Sequence, residues 1–102
     1  MYKDLLPLGS IVLLKDGNKR VMICSRVQVR AGDDRIYDYA ACLYPEGIIA
    51  PNSLFFFNHE DIQTVYFIGF QDPEEILFRK EVLEKLGELE VRDGKIVPKE
   101  KQ

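Results

Sequence analysis

FFFNHEDIQTVYFIGFQDPEE, residues 55–75, decides the fold. Two apolar, aromatic-rich runs, 53–57 and 64–70, flank the polar Asn58-His59-Glu60-Asp61, and the second run leads directly into Asp72-Pro73-Glu74-Glu75. Runs this short and this rich in aromatic and β-branched residues read as strands. Asp72 stands where a helix N-cap belongs, Pro73 at the first helical position and Glu75 where a capping box places its acid. Asn58 followed three residues later by Asp61 repeats that reciprocal pattern on a smaller scale, as a single capped turn between the two strands. Gly69, near the end of the second run, marks a bulge or a close backbone approach.

Three more strand-like runs precede this stretch. SIVLLK (10–15) closes on Asp16-Gly17-Asn18, where Gly and Asn tolerate the positive φ of a tight turn. RVMICSRVQVR (20–30) ends in alternation, with Val27 and Val29 on one side and Arg26, Gln28 and Arg30 on a side expected to be wet. RIYDYAACLY (35–44) follows Ala31-Gly32-Asp33-Asp34 and ends at Pro45-Glu46-Gly47. After residue 72, Ile76, Leu77, Val82, Leu83, Leu86 and Leu89 recur at helical spacing as one apolar stripe, and Glu81-Lys85 adds an i,i+4 pair. The expected fold is therefore α+β: a small antiparallel five-stranded curved sheet, or an SH3-like partly open barrel, with a C-terminal helix. Residues 1–90 form a single domain, with strands between about 10 and 70 and a helix over about 73–88. Residues 91–102, with an Asp93-Gly94 turn between Val91 and Ile96-Val97, form a weakly ordered tail that holds a small hairpin or an extended arm.

At 102 residues, 46% of them hydrophobic and 30% charged, the chain has enough apolar content for one core and no room for a second. A net charge of −3, with signs mixed along the chain, gives no basic stripe for nucleic acid. The N-terminal region lacks a basic leader, and its apolar run, broken by Pro7 and Gly9, is far below the ~20 residues of a membrane span, so a cytoplasmic protein without membrane insertion is expected. Cys24 and Cys42 lie inside apolar runs, away from any CxxC pattern, and read as small buried hydrophobes.

His59 is the only histidine. Catalysis there needs a nucleophile or water and a group that orients the ring, and the spacing supplies neither. A zinc site lacks a second histidine, and Asp33, Asp34 and Asp38 lack calcium-loop spacing. Phosphate-cradling and serine-elbow motifs are absent, so no enzyme activity, metal or cofactor is expected. Aromatics are the more informative signal: Phe55-Phe56-Phe57 and Tyr66-Phe67 cannot all lie on one face of a strand. Some pack under the helix or form a patch for a protein partner. The candidate partner-binding residues are Tyr44, Glu46, Phe56, His59, Glu60, Asp61 and Tyr66, with the aromatics as anchors and the carboxylates as a polar rim.

LPLGSIVLLK, IYDYAACLYPEG, FFFNHEDI and FIGFQDPEE, in this order over about residues 5–85, resemble a family of short Gram-positive bacterial proteins classed as a domain of unknown function. Its members occur in type VII secretion gene clusters beside LXG toxins. The resemblance implies a small cytoplasmic accessory of toxin export, an adaptor or chaperone engaging an LXG toxin or another secretion component, and it brings no catalytic residues. Among the matching positions, Gly9, Pro45 and Gly47 look architectural, whereas Tyr44, Glu46, His59 and Glu60 could share one rim. Two alternatives stand beside this expectation: an immunity factor that inhibits a cognate toxin, and an SH3-like nucleic-acid-binding module using Arg20, Arg26 and Arg30. Partner identity and oligomeric state are not given by the sequence.

Overall fold

The computed structural model describes residues 2–99. Its strands are β1 (Ile11–Leu14), β2 (Val21–Val29), β3 (Ile36–Leu43), β4 (Phe55–Phe57) and β5 (Ile62–Phe67), followed by helix α1 (Pro73–Phe78) and a hairpin of β6 (Leu89–Arg92) and β7 (Lys95–Pro98). β1 to β5 form one antiparallel sheet in the order β4-β3-β2-β1-β5. The first four strands are a meander, and β5 returns to pair with β1, the connectivity expected of an SH3-like barrel, but the sheet stays open between β4 and β5.

One face of the sheet carries Val12, Val21, Ile23, Tyr39, Ala41 and Phe57, all buried. Tyr2 and Leu5 from the N-terminal arm and Leu83 close over it, with Leu86 and Leu89 packed at its margin. Each fully buried aliphatic side chain here contributes about 1.5–3 kcal/mol, so this small cluster carries much of the fold's stability. The hairpin forms as the Asp93-Gly94 signal suggests, with Gly94 at φ 74°, and docks against β2 and β3. Residues 100–102 of the tail expected over 91–102 lie outside the described residues.

Two expectations are corrected. The face carrying Arg26 is not uniformly wet, because a register shift between Ile23 and Ser25 places an extra residue, Cys24, in β2. One extra residue reverses inward and outward just beyond it, although Gln28 and Arg30 further along stay exposed as expected. Arg26 therefore pairs opposite the core residue Tyr39, and its side chain is 7% exposed. Val27, at φ 52°, packs against the core.

The second correction concerns the helix. It begins as expected, with the Asp72 carboxylate accepting the Glu75 N–H at 2.9 Å and Pro73 in the first turn. It then widens into a π-helical turn at Arg79–Leu83, so the regular α-helix is six residues long and helical structure ends near 83, short of 88. Leu83 is buried and Leu86 lies against the core, but Ile76, Leu77 and Val82 of the expected buried stripe are exposed. Glu75 and Arg79 face inward instead. The Glu75 carboxylate is not used to close a capping box; it accepts from Arg26 at 3.2 Å and from Arg79 at 3.3 Å. An arginine turned toward the core needs a carboxylate above it, and that requirement sets the rotation of the helix.

Candidate functional site

The Asn58–Asp61 turn and the N-terminal arm meet at one hydroxyl. Tyr39, fully buried on β3, accepts the Leu6 N–H at 2.8 Å through its Oη, which lies 2.7 Å from His59 Nδ1. In the neutral imidazole the phenol donates to Nδ1, and the ring hydrogen sits on Nε2. The His59 N–H donates to Asp38 Oδ2 at 2.9 Å, and the Asp38 N–H donates to Asn58 Oδ1 at 3.1 Å. Asp61 accepts the Asn58 N–H at 2.9 Å, which is the expected capping contact of a 3-10 turn. Burial, the largest cause, pushes the Tyr39 phenol up to about 12, so it keeps its proton throughout the neutral range. The cluster clamps the arm, β3 and the turn together. His59, Glu60 and Asp61 are exposed at its rim beside a shallow recess lined by Tyr2, Asp38 and Asn58.

Three other candidates gather elsewhere. The Arg20 guanidinium lies 5.2 Å from the Tyr44 ring centroid and 5.5 Å from that of Tyr66, a cation held between two aromatic faces. Next to it, Lys19 pairs with Glu46 at 2.9 Å. Hydrogen bonding from Lys19, the largest cause, holds the Glu46 carboxyl below its usual range. Tyr44 follows the end of β3, whereas Asp38 and Tyr39 stand near its start, so six residues of extended chain, about 20 Å, separate this group from the His59 turn. The single rim of Tyr44, Glu46, His59 and Glu60 therefore does not form. Phe56 belongs to neither group; it packs on Tyr37 with ring centroids 5.9 Å apart and lines a recess with Arg30, Pro51 and Leu54.

Sequence reasoning missed a buried joint. Ser10, with no exposed surface, donates from its Oγ to the Pro7 carbonyl at 2.7 Å and accepts the Gly69 N–H at 3.0 Å. A Cβ at Gly69 would lie 2.0 Å from the Leu8 carbonyl oxygen, so only glycine permits this approach. The close-approach signal at Gly69 was legible, but its partner 59 residues away was not. Gly9, at φ 88°, completes the turn.

Apolar side chains dominate two exposed surfaces. One is the outward side of α1 and the turn after it, with Leu77 61%, Phe78 46% and Val82 44% exposed. The other is the end of β5 and the segment after it, where Phe70 is 77% exposed. Among the described residues, no group of three His, Cys, Asp or Glu side chains is placed to hold a metal ion, and no helix is long and apolar enough to cross a membrane. The thiols of Cys24 and Cys42 are free, and burial, the largest cause, raises the Cys24 thiol.

Neither a curated protein nor a solved structure matches the chain. The order of motifs that this geometry explains, the Pro7-Ser10 turn, the Tyr39 strand, the Asn58-Asp61 cap and the Asp72 helix start, falls within residues 5–78, which match one family model. The chain belongs to the family described as a domain of unknown function, DUF4176.

Proposed function

We propose that the chain is a non-enzymatic protein-interaction module, an adaptor or chaperone accessory to type VII secretion of LXG toxins. The observation that supports this reading best is the set of large apolar groups the helix leaves exposed. Glu75 and Arg79 point inward, with side chains 14% and 17% exposed, while Leu77 and Val82 face outward and Phe78, stacked over the Arg26 guanidinium, stays half exposed. Exposing large apolar groups on a surface helix forgoes about 25 cal/mol per Å² of burial, and such a surface fits an apolar partner face, a helix of an LXG region being the type that packs on another helix. The Arg20 sandwich of Tyr44 and Tyr66 offers a second, amphipathic contact. The assignment to LXG export rests on the motif resemblance, and the docking role on the helix.

For the nucleic-acid reading, Arg20, Arg26 and Arg30 would have to face phosphates. Each is engaged within the chain: Arg20 on two tyrosines, Arg26 on Glu75, and Arg30 on Asp33 and Tyr37. The test is co-purification with an LXG toxin, divided into N-terminal and C-terminal halves. Retention by the N-terminal half, reduced at least tenfold by Leu77→Asp with unchanged circular dichroism, is the expected result. Retention by the C-terminal toxin domain favours an immunity role. Retention of Leu77→Asp at full strength removes the helix surface.

A further inference from the structure

We infer that this chain is a symmetric dimer through the free edge of β5 and the segment that follows it. This contact lies outside the helix surface given above, shares Tyr66 with the Arg20 sandwich, and does not depend on the export role.

Within the sheet, β5 pairs with β1, and its other backbone edge has no partner strand among the described residues. β4, at the opposite edge, is only three residues long, whereas β5 has six. Sheet edges are normally protected by short strands, charges or proline. Residues 62–70, IQTVYFIGF, contain no charge and no proline. Both sides of this strand end are apolar and open: Val65 is 43% exposed, Tyr66 55%, Phe67 58%, Ile68 52% and Phe70 77%. Leu8, 47% exposed, extends the patch, because its carbonyl lies against Gly69.

A second copy fits this edge for two reasons. The first is area. An aromatic side chain buries roughly 150–250 Å² and an aliphatic one somewhat less, so these six, about half exposed, offer at most roughly 600 Å² per protomer. Two protomers together approach roughly 1,200 Å², the lower bound of a specific stable interface, from apolar side chains alone. The second is charge. A two-fold axis sets each patch against itself, and like charges brought opposite each other are unfavourable. In a chain of net charge −3, the stretch 62–70 carries no charge of its own, and Arg20 lies over the Tyr66 ring at one end of it, so self-contact through Phe67, Ile68 and Phe70 meets little such opposition. The register shifts in β5–β1 pairing, at Ile11/Val12 and Leu13/Leu14, twist the strand and shorten any ladder. Burial of Tyr66, Phe67, Ile68 and Phe70 therefore carries most of the contact.

The experiment is sedimentation equilibrium of the full chain at rising concentration, with Val65→Lys and Phe70→Asp run alongside. The wild type should move from 11.8 kDa toward twice that mass with a dissociation constant of about micromolar order. Each variant should weaken dimerisation at least tenfold while keeping the native circular dichroism. Phe70 is so exposed that its replacement cannot unfold the core, so Phe70→Asp decides the matter if Val65→Lys fails to fold. A wild type that stays at monomer mass at ~200 µM, well above that affinity, overturns the inference. So does a dimer whose dissociation constant is the same in Phe70→Asp. A monomer that buries residues 65–70 only when a different protein is added also overturns it, in favour of a foreign partner at this edge.

Discussion

Glu75→Ala tests the reasoning that orients the helix. Glu75 sits over Arg26 and beside Arg79, with side chains 7% exposed for Arg26, 14% for Glu75 and 17% for Arg79. Its removal leaves the Arg26 guanidinium with the Leu6 carbonyl, at 3.5 Å, and the face of Phe78, at 5.8 Å. Breaking a buried pair from one side costs about 3–5 kcal/mol. Some solvent reaches this pair, so the expected loss is about 2–3 kcal/mol. For a domain of this size that lowers Tm by roughly 10–20 °C, measured by circular dichroism melting. Removing both charges is a different perturbation. Arg26→Met with Glu75→Leu substitutes apolar volume for both partners, leaves Arg79 on Gln71 Oε1 at 2.7 Å, and should lie within about 1 kcal/mol of wild type, or above it, as for other buried pairs. A Glu75→Ala loss below 0.5 kcal/mol, in the range of surface changes, would refute the reading that this pair turns the helix. A double variant as unstable as the single one would refute it equally, by showing that lost packing is the cause.

Gly69→Ala places a Cβ 2.0 Å from the Leu8 oxygen and must force apart two backbone segments tied by Ser10. It should cost about 2–3 kcal/mol, read from urea unfolding; a change under 0.5 kcal/mol would show that the joint yields freely. Tyr39 ionises at about 12 in the folded state against its ordinary 10.0, chiefly through burial. A raised phenol value means that the stabilisation is complete below pH 10 and is lost as pH rises through 12, about 2–3 kcal/mol in all. Alkaline unfolding curves should show that loss, and Tyr39→Phe should flatten it. The same variant leaves the Leu6 N–H without its acceptor and should lose about 1–3 kcal/mol at neutral pH. An unchanged alkaline slope in Tyr39→Phe would assign the loss to another group.

Local chemistry was legible in the order of elements. The turn residues Asp16-Gly17 and Asp93-Gly94, the alternating apolar runs and the Asp72-Pro73 start mark where strands, hairpin and helix lie, because φ preferences and side-chain periodicity act within a few residues. Asn58 and Asp61 cap their turn for the same reason. The candidate site was only partly legible. Tyr44, Glu46 and Tyr66 converge around Lys19 and Arg20, while His59, Glu60 and Asp61 belong to a separate turn, since strand length places the two groups about 20 Å apart.

What the sequence by itself determined is the strand-rich body, its turns, the helix start and the absence of a charged stripe. What only the tertiary structure decided is orientation. One extra residue at Cys24 turned Arg26 inward, Arg26 required Glu75, and Glu75 rotated the helix so that Leu77 and Val82 face outward. Helical periodicity alone reports that an apolar stripe exists; which side of a helix is buried depends on the charges and volumes that meet it across the core, and those come from residues about 50 positions away in the chain.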